Sequence, residues 1–262
     1  MTIKTSLSIL RIVLIVTSLL LGSNPFAAAQ NSGNAPAKAI PEVLKNQEMA
    51  ARITRYEVKK DDREKFQKAL KEYVAAALSN EGNIMAEAYF EKENQAVIWL
   101  FERWNNQKEL EQFRKNLKAK AVTIVAKTAL AKPEKIIYVK DLEPISKKEW
   151  RRTSKAEDEQ LTIMLFVEAK AGTEENFRKL YHIAMPQFRS EPGVVTYQLS
   201  QAEKDAMQFI TFEKFRSNDA FQYHLNFPPI QPVLDYLNTS IKKQPFQDGI
   251  HHLVEFAPLI RE

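Results

Sequence analysis

The chain has 262 residues and not one cysteine. That excludes a disulfide scaffold and a lipid-anchored lipoprotein, so its folded parts must hold together through apolar cores. Histidine is scarce as well. His182, His224, His251 and His252 are the full set, with no His-x-x-x-His or His-x-Glu spacing among them. Metal ligands would have to converge from distant segments, and no metal site is expected. An excess of charge of one sign is also missing. The net charge is +5, and without residues 1–29 it falls to +3, from 36 basic and 33 acidic side chains. These charges are interleaved, and a nucleic-acid footprint would be stronger and more localised. Clusters such as Lys147-Lys148 and Arg151-Arg152 therefore read as solvated surface, and no nucleic-acid partner is expected.

Long apolar runs are limited to the N-terminus. Lys4 and Arg11 precede the run Ile12–Leu21, and a small-residue exit ends in Ala27-Ala28-Ala29. A basic start, a short apolar core and small residues describe a secretory signal peptide. A spanning helix needs about 20 apolar residues, roughly twice this core. Cleavage is expected after Ala29, giving a periplasmic or secreted protein with no stable membrane anchor. Residues 30–48 are polar and small, and read as a disordered leader.

The remainder, within a chain 44% hydrophobic and 27% charged, has the composition of a globular protein. Its length allows one large domain or two of roughly 100 residues each. Two segments share one grammar. The first reads as a strand over 52–58, a helix over 62–78, strands over 84–90 and 96–102, and a helix from Gln107. The second reads as a strand over 161–169, a helix over 173–189, strands over 194–200 and 207–214, and a helix from Asn218. Each closes on a further strand, near 135–142 and 251–256.

A shift of 111 residues aligns 57–113 with the second segment without a gap. Glu57, Lys59, Glu64, Phe66, Lys68, Ser79, Gly82, Phe101 and Glu102 meet identical residues at 168, 170, 175, 177, 179, 190, 193, 212 and 213. The chain has only six glycines, and two fall at one turn of this repeat. Pro192 cannot continue a helix, and Gly193 supplies a backbone freedom other residues lack, letting the helix fold back onto the next strand. The helices carry apolar stripes at 3.6-residue spacing, Phe66 to Leu78 and Phe177 to Phe188. Pro186 should kink the second of them.

A βαββαβ unit is a ferredoxin-like sheet with two helices on one face. Strands such as Leu161-Thr-Ile-Met-Leu-Phe-Val carry apolar groups on both sides, so a second sheet must cover the open face. The fold expected is therefore α+β: two tandem ferredoxin-like units, 49–144 and 159–260, forming a pseudo-dimeric α/β barrel. Residues 145–158 between them, rich in charge, read as a linker.

The second unit carries Val167-x-Ala-Lys-Ala-Gly-Thr-Glu-Glu-x-Phe177, then Ser-Glu-Pro-Gly-Val-Val-Thr-Tyr over 190–197, then Phe-Glu-Lys-Phe-Arg-Ser-Asn-Asp-Ala-Phe-Gln-Tyr-His over 212–224. This ordered set resembles the antibiotic biosynthesis monooxygenase domain family, through Glu191-Pro192-Gly193, Glu213 and a helix histidine, His224. The first unit departs from the pattern, with Asn80-Glu81-Gly82 at the turn and Phe113 in the histidine's place. The resemblance implies a dimeric α/β barrel. It also implies cofactor-independent oxygenation of a quinol or other small aromatic by dioxygen, haem binding or breakdown, or a barrel that binds small ligands without catalysis. Fold does not choose among these.

His224 stands among Phe221, Leu225 and Phe227. It reads either as a packed helix histidine or, through the resemblance, as the base for a phenolic substrate. Tyr197, Phe212, Tyr181, His182 and Trp99 are the candidate substrate-binding residues. Strand aromatics more often pack a core, although ligand pockets are also lined by them. Tyr56 has the same two readings. His182 lies on the flank of its helix stripe and suits solvent as well as a site. His251 and His252 are adjacent in a strand, so they point to opposite faces. Glu102 and Glu213 end matching strands, where binding a backbone group or a basic partner is the role expected. No cofactor is expected, and association beyond the internal pseudo-dimer is left open.

Overall fold

A computed structural model describes residues 48–244 and 246–262. Residues 1–29, expected to be a signal peptide, and all but the last residue of the expected leader over 30–48 lie outside the described residues. Among the described residues no helix is long and apolar enough to cross a membrane.

The first unit runs β1 (Ala50–Val58), α1 (Arg63–Leu78), β2 (Asn83–Glu91), β3 (Val97–Trp104), α2 (Gln107–Phe113), α3 (Leu117–Ala129) and β4 (Leu130–Leu142). A short helix, α4 (Lys147–Trp150), follows. The second unit runs β5 (Leu161–Glu168), α5 (Glu174–Ser190), β6 (Val194–Ala202), β7 (Gln208–Phe215), α6 (Asn218–Asn226), α7 (Gln231–Thr239) and β8 (Ile250–Ala257). The eight strands close into one barrel in the order β1-β3-β2-β8-β5-β7-β6-β4. Within each unit this is the ferredoxin-like order. The units join along two seams, β2 with β8 and β4 with β6.

The period-two pattern explains the layers, since successive strand residues face opposite sides. Ile53, Tyr89, Trp99, Phe101, Val139, Met164, Ile210, Phe212 and Leu253 point inward and pack the barrel core. Ile98, Leu100 and Trp104 face outward and pack with Phe66, Leu70 and Val74 of α1. Val167, Tyr197, Leu199 and Phe209 do the same against Phe177, Tyr181 and Phe188 of α5. Each unit thus has its own helix–sheet core, and the two share the barrel interior.

The repeat extends beyond position 113. Lys59 Nζ donates to the Thr128 carbonyl at 2.7 Å and Lys170 Nζ to the Thr239 carbonyl at 2.7 Å, 111 residues apart at both ends. A cation there neutralises the carbonyls at the C-termini of α3 and α7. Glu57 and Glu168 likewise pair with Lys132 and Lys242.

Four details refine the sequence reading. Neither Gly82 nor Gly193 takes a positive φ; among the glycines described, only Gly172 does. Their reason is space. The backbone N–H groups of Asn105 and Arg216 donate to the Gly82 and Gly193 carbonyls at 2.8 and 2.9 Å, which draws the next helix against the glycine. A Cβ at Gly193 would overlap the Ala220 side chain and lie 3.1 Å from its Cα, and one at Gly82 would meet Glu109 Oε2 at 2.6 Å. Next, helix α5 covers the expected span and continues through Pro186 to Ser190. Pro186 and His182, whose carbonyl loses its partner, both lie on the exposed face, where water can serve. Third, the second helix of each unit is broken in two.

The fourth detail is the connecting segment, which is built into the fold. Ser146 and Glu149 form a capping box on α4, and Trp150 is only 1% exposed. Arg151 Nε donates to the Ile84 carbonyl at 3.0 Å, and its Nη2 donates to those of Asn83 and Leu78 at 3.0 and 3.1 Å. Apolar content is low there because two residues do the packing, Trp150 and, partly buried beside it, Ile145.

Gly193→Ala should lower stability by about 1–3 kcal/mol in urea denaturation, because overlap with a helix backbone cannot relax cheaply. Gly82→Ala should cost less, since a flexible carboxylate can swing aside. Adding Ala220→Gly to Gly193→Ala should restore much of the loss. Equal losses at the two glycines with no recovery would show that close approach is not what selects glycine here.

Candidate functional site

The outer face of the second unit gathers several of the sequence-derived residues. Ser217 caps α6, its Oγ accepting from the Ala220 N–H at 3.2 Å, and this fixes the helix that carries His224. His224 is 1% exposed. Its Nδ1 lies 2.8 Å from Oε1 of Glu191, the first residue of the Glu-Pro-Gly turn. Facing a carboxylate, Nδ1 carries the hydrogen, which leaves Nε2 as the basic nitrogen. The imidazole packs against the rings of Phe188 at 4.7 Å and of Tyr197 and Phe215 at 5.3 Å.

Glu213 stands beside this pair. Its Oε1 accepts from Tyr197 OH at 3.0 Å and from Thr211 Oγ1 at 2.7 Å. Burial pushes the carboxyl above its ordinary value of 4.5, while His224, Thr211 and Tyr197 pull it back. Burial, and then Glu213, hold the Tyr197 hydroxyl well above the usual phenol range, so it remains a donor. Tyr181 is raised for the same two reasons.

The first unit solves the matching problem differently. Glu102 Oε2 accepts from Arg52 Nε at 2.6 Å, and its Oε1 accepts from Tyr73 OH and from Trp104 Nε1, the latter at 3.2 Å. Phe113, in the position of His224, packs on the rings of Tyr73 and Trp104 at 5.2 and 4.8 Å. A strand arginine serves the buried carboxylate there, and Asn80 stands where Glu191 would pair with a histidine.

The remaining candidates lie elsewhere. Phe212 and Trp99 face the barrel interior, on the other side of the sheet from His224. Trp99 Nε1 donates to Glu91 Oε1 at 2.9 Å, and the same oxygen faces His251 Nδ1 at 3.0 Å. His251 is thus the inward member of its pair, and His252 pairs with Glu93 on the outside. Tyr56 packs on Phe66 in the first helix–sheet core. His182 does not belong with the site: its side chain is 71% exposed and paired with Glu143 at 2.5 Å on the outer surface of α5.

The sequence reading missed a set of charges inside the barrel. Arg103 Nη2 and Nε donate to Asp141 at 3.0 and 3.2 Å, and Nη2 reaches Ser200 Oγ at 3.3 Å. The residue 111 positions on, Lys214, donates to Glu87 Oε1 at 2.8 Å and lies 3.9 Å from Glu255. Asp141 stands opposite Ser200 across one seam and Glu255 opposite Tyr89 across the other, so the two clusters are equivalent. The available signal was a basic residue directly after Glu102 and Glu213, on the face that is otherwise apolar. Among the described residues no group of three or more His, Asp or Glu could hold a metal ion.

The sequence matches the antibiotic biosynthesis monooxygenase family over residues 49–123 and 160–232, together more than half of the chain. A candidate monooxygenase from Lactobacillus acidophilus NCFM superposes with a TM-score of 0.66 at 16% identity, covering 79% of this chain and 94% of that one. A candidate monooxygenase from Fusobacterium nucleatum gives 0.67 at 14% identity, covering 79% and 92%. An anthrone oxidase-like protein gives 0.52 at 9%, covering 83% and 97%. Such identities establish the shared fold alone. An uncharacterised protein of Synechocystis sp. is 26% identical over 91 residues, which are 35% of this chain and 57% of that protein.

Glu213 gives a pH test. The folded protein holds this proton more tightly than the unfolded chain does. Its contribution to stability is therefore full below the unfolded value and declines as pH rises toward the folded one. Glu213→Gln cannot ionise, so its stability relative to wild type should increase between pH 4 and pH 7. A constant difference across that range would mean the carboxyl is not held above its ordinary value.

Proposed function

This chain belongs to the antibiotic biosynthesis monooxygenase family, and from that premise we propose that it is an exported, cofactor-independent monooxygenase acting on a quinol or another small aromatic in its second unit. One observation carries the reading. The second unit alone has the buried His224–Glu191 pair, at 2.8 Å, set beside the Tyr197–Glu213 hydrogen bond. Glu191 fixes the tautomer and Nε2 is left as base, as a general-base histidine requires. Removal of a phenolic proton gives an electron-rich anion that dioxygen can oxidise directly. Oxygen adds at an open ring carbon as a hydroperoxide, and loss of water leaves a carbonyl there. A quinol and dioxygen thus give a hydroxyquinone and water, with one oxygen atom in each product. The anthrone oxidase-like neighbour supports an aromatic substrate, since anthrone is the keto tautomer of a polycyclic phenol.

The packing around His224 sets a condition. His224 is 1% exposed and three rings, Phe188, Tyr197 and Phe215, pack on it, so a substrate ring reaches the imidazole only if this packing opens during turnover. The same burial favours a second reading, in which the pair is a latch between turn and helix and the barrel binds small ligands without catalysis. A cavity of about 130 Å³ bordered by Lys214 and Trp150 has room for one ring and not for a porphyrin.

Oxygen uptake with a panel of dihydroxyaromatics separates these readings. The double variant Glu191→Asn/His224→Phe gives the second unit the side chains that stand at the matching positions of the first, Asn80 and Phe113. It should keep its thermal midpoint and lose uptake by about 10²–10⁴-fold, the usual worth of a positioned base. Uptake undiminished in that variant, or absent from wild type with every quinol, would leave the latch reading. Export is checked separately. N-terminal sequencing of the protein from the periplasm or medium should begin at Gln30.

A further inference from the structure

The two equivalent charge clusters inside the barrel are not equally enclosed. The Trp150 ring covers Arg103, whose Cζ lies 4.7 Å from the ring centroid. Lys214 instead borders a cavity of about 130 Å³ at the same end of the barrel. Its walls are Met85, Ala86 and Glu87 of β2, Lys214 of β7, Glu255 of β8, Trp150 to Thr153, and the C-terminal residues Pro258, Ile260 and Arg261. A cavity of this size accepts a single six-membered ring. Much of the wall is apolar, through Leu78, Met85, Ala86, Trp150, Pro258 and Ile260.

Hydrogen-bonding capacity shows what such a ring should carry. The acids of the lining are already served. Glu87 accepts from Lys214 and from Tyr89 OH, and Glu255 accepts from Gln160 Nε2 at 2.8 Å and Arg261 Nη1 at 3.4 Å. The donors are not. Trp150 Nε1 and Thr153 Oγ1 are buried with no partner among the described residues. Lys214, itself buried, has three N–H groups but a single hydrogen bond, while Arg152 is an exposed cation at the rim, 3.9 Å from Glu149. Four cations line the cavity against two carboxylates. Buried donors without acceptors are costly, and a ligand that supplies acceptors relieves that cost.

We propose that this cavity is a binding site for a small aromatic carboxylate, its ring against Trp150, Met85 and Ile260 and its carboxylate among Lys214, Trp150 Nε1, Thr153 and Arg152. The site is separate from His224, because Lys214 faces the barrel interior while Glu213, its neighbour in β7, faces the helices.

Calorimetric titration of the purified protein with benzoate and with benzyl alcohol tests this. The two probes share a ring and differ in charge. Benzoate should bind saturably and benzyl alcohol about tenfold more weakly, the scale of one charge-assisted hydrogen bond. Lys214→Met should abolish benzoate binding. That change strips the cation from two buried carboxylates and puts folding at risk, so Thr153→Val and Arg152→Gln carry the test. Each should weaken benzoate severalfold with an unchanged thermal midpoint. Equal binding of the two probes, no benzoate binding by wild type, or undiminished binding in both conservative variants would overturn the proposal.

Discussion

A β-sheet edge with unpaired N–H and C=O groups is the constraint on which everything else here depends. Each unit alone would be a four-stranded sheet with β2 and β4, or β6 and β8, at its edges. Pairing β4 with β6 and β8 with β2 leaves every strand flanked on both sides, and only closure does that. Closure also seals an interior, and a charge inside it must find its partner there. Asp141 and Glu255 do so at the seams, opposite Ser200 and Tyr89, so hydrogen-bonded closure and ion pairing occur at the same positions. Breaking such a buried pair leaves an uncompensated charge worth several kcal/mol, so side chains as well as backbone specify the seams.

Outside the barrel, the two copies show how one constraint admits two answers. A glutamate ends the third strand in both and faces the helices. Arg52 reaches it from the neighbouring strand in the first copy; Tyr197, Thr211 and His224 surround it in the second. Replacement of the helix histidine by Phe113 is then no defect of folding. The first copy keeps its glutamate and fills the space with aromatic rings.

The fold was legible because its signals are local and repeated. Strand alternation, the helix stripes of Phe66 and Phe177, and glycines 111 residues apart all identify backbone geometry. Even so, the glycines were read for conformational freedom when their reason is the approach of Ala220 and Glu109, which strand-to-helix docking alone reveals. The site was legible only in part. His224 and Tyr197 come together because one motif carries both the turn and the helix. Trp99 and Phe212 lie on the opposite face, a distinction that needs the register. Glu191 as the partner of His224 spans 33 residues and leaves no periodic trace. Trp150 was hidden because an isolated tryptophan in a charged segment has no periodic pattern to belong to.

That tryptophan carries a further consequence. Two identical chains forming such a barrel would present both halves alike, and whatever one half bound the other would bind too. Here a connecting segment exists once. Trp150 can therefore stack on only one of two equivalent positions, and it lies over Arg103 while Lys214, also buried, borders a cavity. Fusion thus does more than hold two domains at high local concentration. By threading one linker across a doubled structure it removes the symmetry, and each half can then change without dictating the same change to its twin.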